Sequence, residues 1–144
     1  MTTTEAEWVL MVDGAARGNP GDAGCGAVIL DESGAAVKEL SCYLGKTTNN
    51  VAEYEALLMG LEALIAMGKK RIRVRSDSEL LVRQLNGQYR VRDPKLRMLF
   101  ERARSLLRHF DHYTIVHVRR EANKLADKLA NRGIDDALKK RNAG

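Results

Sequence analysis

Four acidic residues from four separate segments carry the chemistry open to this chain: Asp13, Glu53, Asp77 and Asp127. Asp13 closes the apolar run WVLMVD and is followed by glycines at 14, 18, 21 and 24, more than a turn alone needs. Its bland reading is a turn-initiating Asp before Gly14. Glu53 lies one turn into a helical segment, on the face that carries Ala56, Leu57, Gly60 and Leu64. A capping box with Asn50 would also explain it. Asp77 closes RIRVRSD, where it could equally N-cap the next helix. Asp127 borders the apolar stripe Ala122, Leu125, Ala126, Leu129 and Ala130, on a polar strip with Asn123 and Asn131; an exposed ion pair with Lys124 or Lys128 is the alternative. Clustered carboxylates repel and raise one another's pKa, so four of them converge only around cations. Oxygen-only ligands favour Mg²⁺ or Mn²⁺ over zinc. Two such ions close together would clamp an in-line phosphodiester displacement.

The elements that must position these acids follow from periodicity. WVLMVD reads as a central buried strand, after which CGAVIL and AAVKELSCYL flank the turn signal DESG as an antiparallel hairpin. Residues 50–67 form a helix with Gly68 at its C-terminal cap. RIRVRSD alternates arginines with Ile72 and Val74, a strand with one wet face. SELLVRQL is a short helix, Pro94 starts a helix to about Phe110, YTIVHV is a fifth strand, and EANKLADKLANRG is an amphipathic helix ending at Gly133. The order βββαβααβα predicts an α/β domain on a mixed sheet, in which two strands end in aspartate on one edge if they run parallel. Residues 1–7 are expected as a tail, 8–133 as the domain, and 134–144 as a polar, fraying tail.

The chain has 144 residues, 44% hydrophobic and 30% charged, which suits one globular domain. No apolar run reaches the roughly 20 residues of a membrane span, and no secretory leader is evident, so a cytoplasmic protein is expected. Cys25 and Cys42 are expected to be buried free thiols. The net charge of +5 is uneven: residues 1–68 hold three Lys/Arg against ten acids, and residues 69–144 hold 21 against nine. That basic second half suits a polyanion partner, nucleic acid above all, although a solvated surface would look the same. Together with the acids, it points to a nuclease.

The motifs VDGAARGNPG, TTNNVAEYEAL, SDSELLVRQL and VRREANKLADKLAN, in that order, resemble the type 1 ribonuclease H family over residues 8–133. The resemblance implies a ribonuclease H-like fold: a five-stranded mixed sheet of order 3-2-1-4-5 with helices on both faces. It implies metal-dependent endonucleolytic cleavage of the RNA strand of RNA–DNA hybrids, leaving a 3′-hydroxyl and a 5′-phosphate. In that pattern Asp13 bridges two Mg²⁺ or Mn²⁺ ions, Glu53 and Asp77 complete one site, and Asp127 holds the ion nearer the attacking water. Asn19 and Asn50 match RNA-strand contacts, and Glu79 stands at a 2′-hydroxyl contact usually held by glutamine. Thr48 and Asn49 match a pocket for a DNA-strand phosphate, Gly14 and Gly18 would let backbone approach the substrate, and Asn123 is counted among the substrate-binding positions. A monomer acting on RNA–DNA hybrid, with double-stranded RNA as a further substrate, is the expectation.

Two departures from the family pattern stand out. HVRREANK enters the last helix without the histidine-bearing loop of many members. His117 on the preceding strand reads as structural, leaving Arg119 or Arg120 to take part of that role. The basic handle between the middle helices is also missing, although Arg90, Arg92 and Lys95 keep some charge there, and no separate hybrid-binding domain is expected before the fold. Both losses predict weaker, salt-sensitive binding. A non-catalytic nucleic-acid-binding module and another metal-dependent phosphotransferase or exonuclease on the same fold are the competing readings.

Overall fold

The computed structural model describes residues 6–143. The expected tail at 1–7 falls mostly outside them. Strands β1 (Trp8–Gly18), β2 (Gly21–Leu30) and β3 (Ala36–Thr47) form an antiparallel meander. Strands β4 (Arg71–Ser76) and β5 (His112–His117) add in parallel on the other side of β1, giving the order β3-β2-β1-β4-β5. Parallel pairing of β1 with β4 needs a crossover, which α1 (Asn49–Ala66) supplies.

β1 does not stop at Asp13. Its pairing with β2 continues to Gly18↔Gly21, so the glycine-rich stretch is strand rather than loop, closed by Gly18 at φ +101° and a cis Asn19–Pro20 bond.

Leu10, Val12, Ile72 and Val74 point to the face covered by α1 and α3 (Pro94–Leu107), where they meet Leu57, Leu61 and Leu64 in the main core. Each such side chain contributes about 1.5–3 kcal/mol by leaving water. The predicted stripe Ala56, Leu57, Gly60 and Leu64 is buried, whereas Glu53 is not part of a capping box with Asn50. Thr48 caps the helix instead, its hydroxyl accepting from the Val51 amide at 3.3 Å. α3 starts at Pro94 as expected but ends at Leu107, short of Phe110. The short helix α2 (Glu79–Leu85) is tied to α1 by the Tyr54 hydroxyl, which donates to Gln84 Oε1. Gln84 Nε2 in turn donates to the Arg90 carbonyl, holding the connector to α3.

The last helix, α4 (Lys124–Ala143), crosses the opposite face of β1, β2 and β3. It runs through Gly133, which the spacing made its end, and Ile134 is fully buried. Gly133 lacks a side chain because the Cys42 backbone lies against it: a Cβ there would overlap the Cys42 carbonyl. The glycine marks a close approach of helix to sheet, and residues 134–143 are helix rather than frayed tail. Cys25 is buried as expected, but Cys42, opposite it on β3, is exposed.

Candidate active site

The last parallel pair of β1 and β4 is Val12↔Ser76. The next residues, Asp13 and Asp77, therefore stand side by side where the strands part, at the carboxyl edge of the sheet. Asp13 is only 5% exposed. Glu53 reaches it from α1 because Gly14 presents no side chain: a Cβ at Gly14 would overlap the backbone of Ala52 and Glu53. One carboxylate oxygen from each of Asp13, Glu53 and Asp77 lies within 4.8 Å of the others.

Asp13 and Glu53 are strained electrostatically. Burial first, then the charges of Glu53 and Asp77, pushes the Asp13 carboxyl up to about 10. Burial and then Asp77 push Glu53 up to about 8. Glu53 Oε2 is buried and has no hydrogen-bond partner. A buried acceptor without a donor costs about 1–3 kcal/mol. A hard divalent cation satisfies all of these oxygens at once, so the donor set fits Mg²⁺ or Mn²⁺.

Asp77 does not cap α2; Ser78 does, its hydroxyl accepting from the Leu81 amide. The Asp77 side chain is thereby left free for the cluster, and His117 Nε2 lies 3.3 Å from its backbone carbonyl. Asp127 is exposed and borders the same cavity, of ≈ 630 Å³, from α4 without joining the compact trio. Asn131 Nδ2 donates to Asp127 Oδ1 at 3.3 Å and to its carbonyl at 3.1 Å. Arg17 in turn donates to Asn131 Oδ1 and pairs with Asp135 at 2.8 Å. The i, i+4 spacing of Asp127 and Asn131 was legible in sequence; Arg17, far away in the chain, carried no signal.

Of the expected substrate contacts, Gly14 and Asn50 line the cavity, as do Arg119 and Arg120. Asn49 also lines it, but its Oδ1 accepts from the Ala16 amide at 2.9 Å, and Asn19 Oδ1 accepts from the Asn49 amide at 3.0 Å. These bonds tie the β1–β2 turn to the start of α1. Thr48 is engaged as the cap. Glu79 is exposed and pairs with Arg83 at 2.8 Å on its own helix. Asn123 is not on a polar strip at all. It is 0% exposed in a 3₁₀ turn at Arg120–Asn123, and its Nδ2 donates to the Val12 carbonyl at 2.8 Å. It anchors the start of α4 to the strand end beside Asp13. Asn123→Ala is expected to lower stability by about 1–3 kcal/mol, because it leaves that carbonyl unpaired. Urea denaturation measures this.

A parallel–antiparallel sheet of order 3-2-1-4-5, with an acidic cluster where its central strands part, defines the ribonuclease H-like class. Residues 11–133 match the family described as reverse transcriptase-like. The ribonuclease HI of Halobacterium salinarum is 47% identical over 125 residues, covering 87% of this chain and 63% of that protein. A bifunctional protein of Mycobacterium tuberculosis is 39% identical over 130 residues, 90% of this chain and 36% of that protein. This chain thus spans less than two thirds of either relative's length. The crystal structure of LC11-RNase H1 in complex with RNA/DNA hybrid superposes with a TM-score of 0.87 at 46% identity, over 91% of this chain and 99% of that one. The chain belongs to the type 1 ribonuclease H family.

Proposed function

We propose that this chain is an endonuclease that hydrolyses the RNA strand of RNA–DNA hybrids, leaving a 3′-hydroxyl and a 5′-phosphate, with two Mg²⁺ or Mn²⁺ ions held by Asp13, Glu53, Asp77 and Asp127. The observation that carries the reading is the Asp13–Glu53–Asp77 trio, with the raised pKa values of Asp13 and Glu53 and the partnerless Glu53 Oε2. Bound there, the ions would supply Lewis acidity and charge neutralisation for in-line displacement at phosphorus.

Asp13, only 5% exposed, would be the ligand that the ions share. Asp127, exposed at the cavity mouth, would hold the ion nearer the attacking water. Thr48, Asn49 and Asn50 frame a DNA-strand phosphate at the start of α1, where the helix dipole favours an anion. The Nδ2 groups of Asn19 and Asn50, with Glu79 and the backbone of Gly14 and Gly18, face the RNA strand. Arg119 and Arg120, beside the cavity, take part of the role of the loop histidine. Arg90 and Arg92, which line a hollow between the α2–α3 connector and α3, hold what basic charge remains in place of a handle. Substrate affinity is accordingly salt-sensitive.

Among the described residues no helix is long and apolar enough to cross a membrane. With its two free thiols, a monomer of the reducing cytoplasm is the proposed setting.

The deciding experiment incubates labelled RNA–DNA hybrid, duplex DNA and duplex RNA with Mg²⁺, Mn²⁺ or EDTA, beside Asp77→Asn. Hybrid cleavage is expected only with metal and wild-type protein. Cleavage that survives EDTA, or that Asp77→Asn retains, overturns the reading. Cleavage of duplex RNA as well would widen the substrate class. Asn131→Ala frees the Asp127 carboxylate and is expected to lower metal affinity or turnover by roughly 10-fold or more. A titration of rate against Mn²⁺ concentration reads this out.

A further inference from the structure

Among the described residues, α4 packs on β1, β2 and β3 and not to a comparable extent on the same face of β4 and β5. On β4 that face consists of Arg71, Arg73 and Arg75, each half-buried, alternating with the fully buried Ile72, Val74 and Ser76. The sheet register sets Arg71 beside His112, Arg73 between Val9 and Thr114, and Arg75 between Met11 and Val116. Three guanidinium groups thus run in a line along the strand. Among the described residues only Glu7 meets them, its carboxylate 3.2 Å from Arg73 Nε but outside hydrogen-bonding alignment.

The buried polar atoms without partners fall into two groups. Glu53 Oε2 and Asn123 Oδ1 belong to the acidic site; Arg71 Nε, Arg73 Nε and Thr114 Oγ1 all lie on this face. A soluble protein gains nothing from three cations stacked side by side on one strand, since like charges on neighbouring positions repel. Such a row is stabilised by an anion that spans it. Alternate strand residues repeat roughly every 6.6 Å, close to the separation of successive phosphates along a polynucleotide strand. The row rises toward Asp77, two residues beyond Arg75, on the face of the sheet opposite α1.

We infer that the Arg71–Arg73–Arg75 face is a second nucleic-acid site, which binds the phosphates of a single-stranded polynucleotide, separately from the acidic groove. Guanidinium forks suit phosphate oxygens, and Thr114 adds a hydroxyl donor. Beyond the His112 imidazole no aromatic ring stands among these positions to stack bases, so recognition is mainly electrostatic, independent of sequence and strongly salt-dependent. The inference does not depend on the proposed catalysis, because none of these side chains belongs to the acidic site.

The test is fluorescence anisotropy of a labelled oligothymidylate of about fifteen nucleotides, titrated in EDTA across a salt series with the full chain. Arg71→Gln/Arg73→Gln is expected to weaken binding roughly fivefold or more and to reduce the slope of log K against log salt by about 1.4, the loss of two single-strand phosphate contacts. Arg71→Lys/Arg73→Lys keeps the slope, and cleavage of a short blunt hybrid by the glutamine variant stays within about twofold of wild type. Should the double variant not fold, Arg75→Gln alone carries the test, with a slope loss of about 0.7. An unchanged slope in the glutamine variants overturns the inference. So does displacement of the oligonucleotide by blunt hybrid, which would place it in the catalytic groove. Binding of polyglutamate with the same arginine dependence and equal affinity would reassign the face to an acidic protein. Loss of blunt-hybrid cleavage in wild type bears on the proposed function alone.

Discussion

Asp13→Asn abolishes hybrid cleavage, by on the order of 10³-fold or more, yet makes the metal-free protein more stable, not less. Asp13 is buried within the trio, its carboxyl raised by burial and by three neighbouring acids, Glu53, Asp77 and Asp127. The amide keeps the shape and spares the apo fold the cost of holding a carboxyl protonated far above its ordinary range. The melting temperature in EDTA is expected to rise by roughly 5 °C.

The pH dependence has a definite sign. Unfolded carboxyls release their protons near pH 4, whereas folded Asp13 and Glu53 keep theirs up to about 10 and about 8. Between those limits the native state binds more protons than the unfolded chain, so stability is full below about pH 4 and falls as pH rises. Wild type in EDTA therefore loses stability from acid to mildly alkaline pH, and saturating Mg²⁺ flattens the decline. Asp13→Asn is less pH-dependent than wild type without metal. Calorimetry across pH, with and without Mg²⁺, measures all three. A destabilised Asp13→Asn protein in EDTA would contradict this account.

Gly14→Ala should damage both fold and activity through one methyl group. Its Cβ would occupy the space of the Ala52 and Glu53 backbone, and neither β1 nor α1 can yield without disturbing the core of Leu10, Val12 and Leu57. Overpacking of this kind costs about 1–3 kcal/mol, sometimes more. The helix is pushed off the strand, carrying Glu53 away from Asp13. A misplacement near 1 Å can cost about 10²-fold in rate. Gly14→Ala is therefore expected to bind metal more weakly and to cleave at least roughly 100-fold more slowly, with a lowered unfolding midpoint. Isothermal titration with Mn²⁺ separates the loss of the site from the loss of the fold. Retained cleavage with normal metal affinity would show that Glu53 is positioned by something other than this contact.

Local pattern made much of the molecule legible. Alternation in RIRVRS marked β4 and its arginine face, and helical spacing marked the buried stripe of α1. Glu53 stood out because an acid interrupted an apolar face, and Asp13 and Asp77 because each ended a strand. Errors arose where a residue's role depends on a partner distant in the chain. β1 extends past Asp13 because β2 pairs with it, Gly133 lies inside a helix because Cys42 approaches it, and Asn123 is buried because α4 docks at the end of β1. Asn19 and Asn49 look like ligand contacts in sequence, yet their oxygens hold a turn against a helix.

By itself, the sequence determined the elements, their order and the four acids, because hydrophobic period and strand ends are properties of short segments. Only the tertiary structure decided which acids meet. Parallel pairing of β1 with β4 brings Asp13 to Asp77, and the absent side chain of Gly14 lets α1 close enough to add Glu53. Asp127 reaches Asp13 from the cavity rim, on a helix whose position depends on the opposite face of the sheet. Those separations are set by packing between elements, which no local pattern encodes.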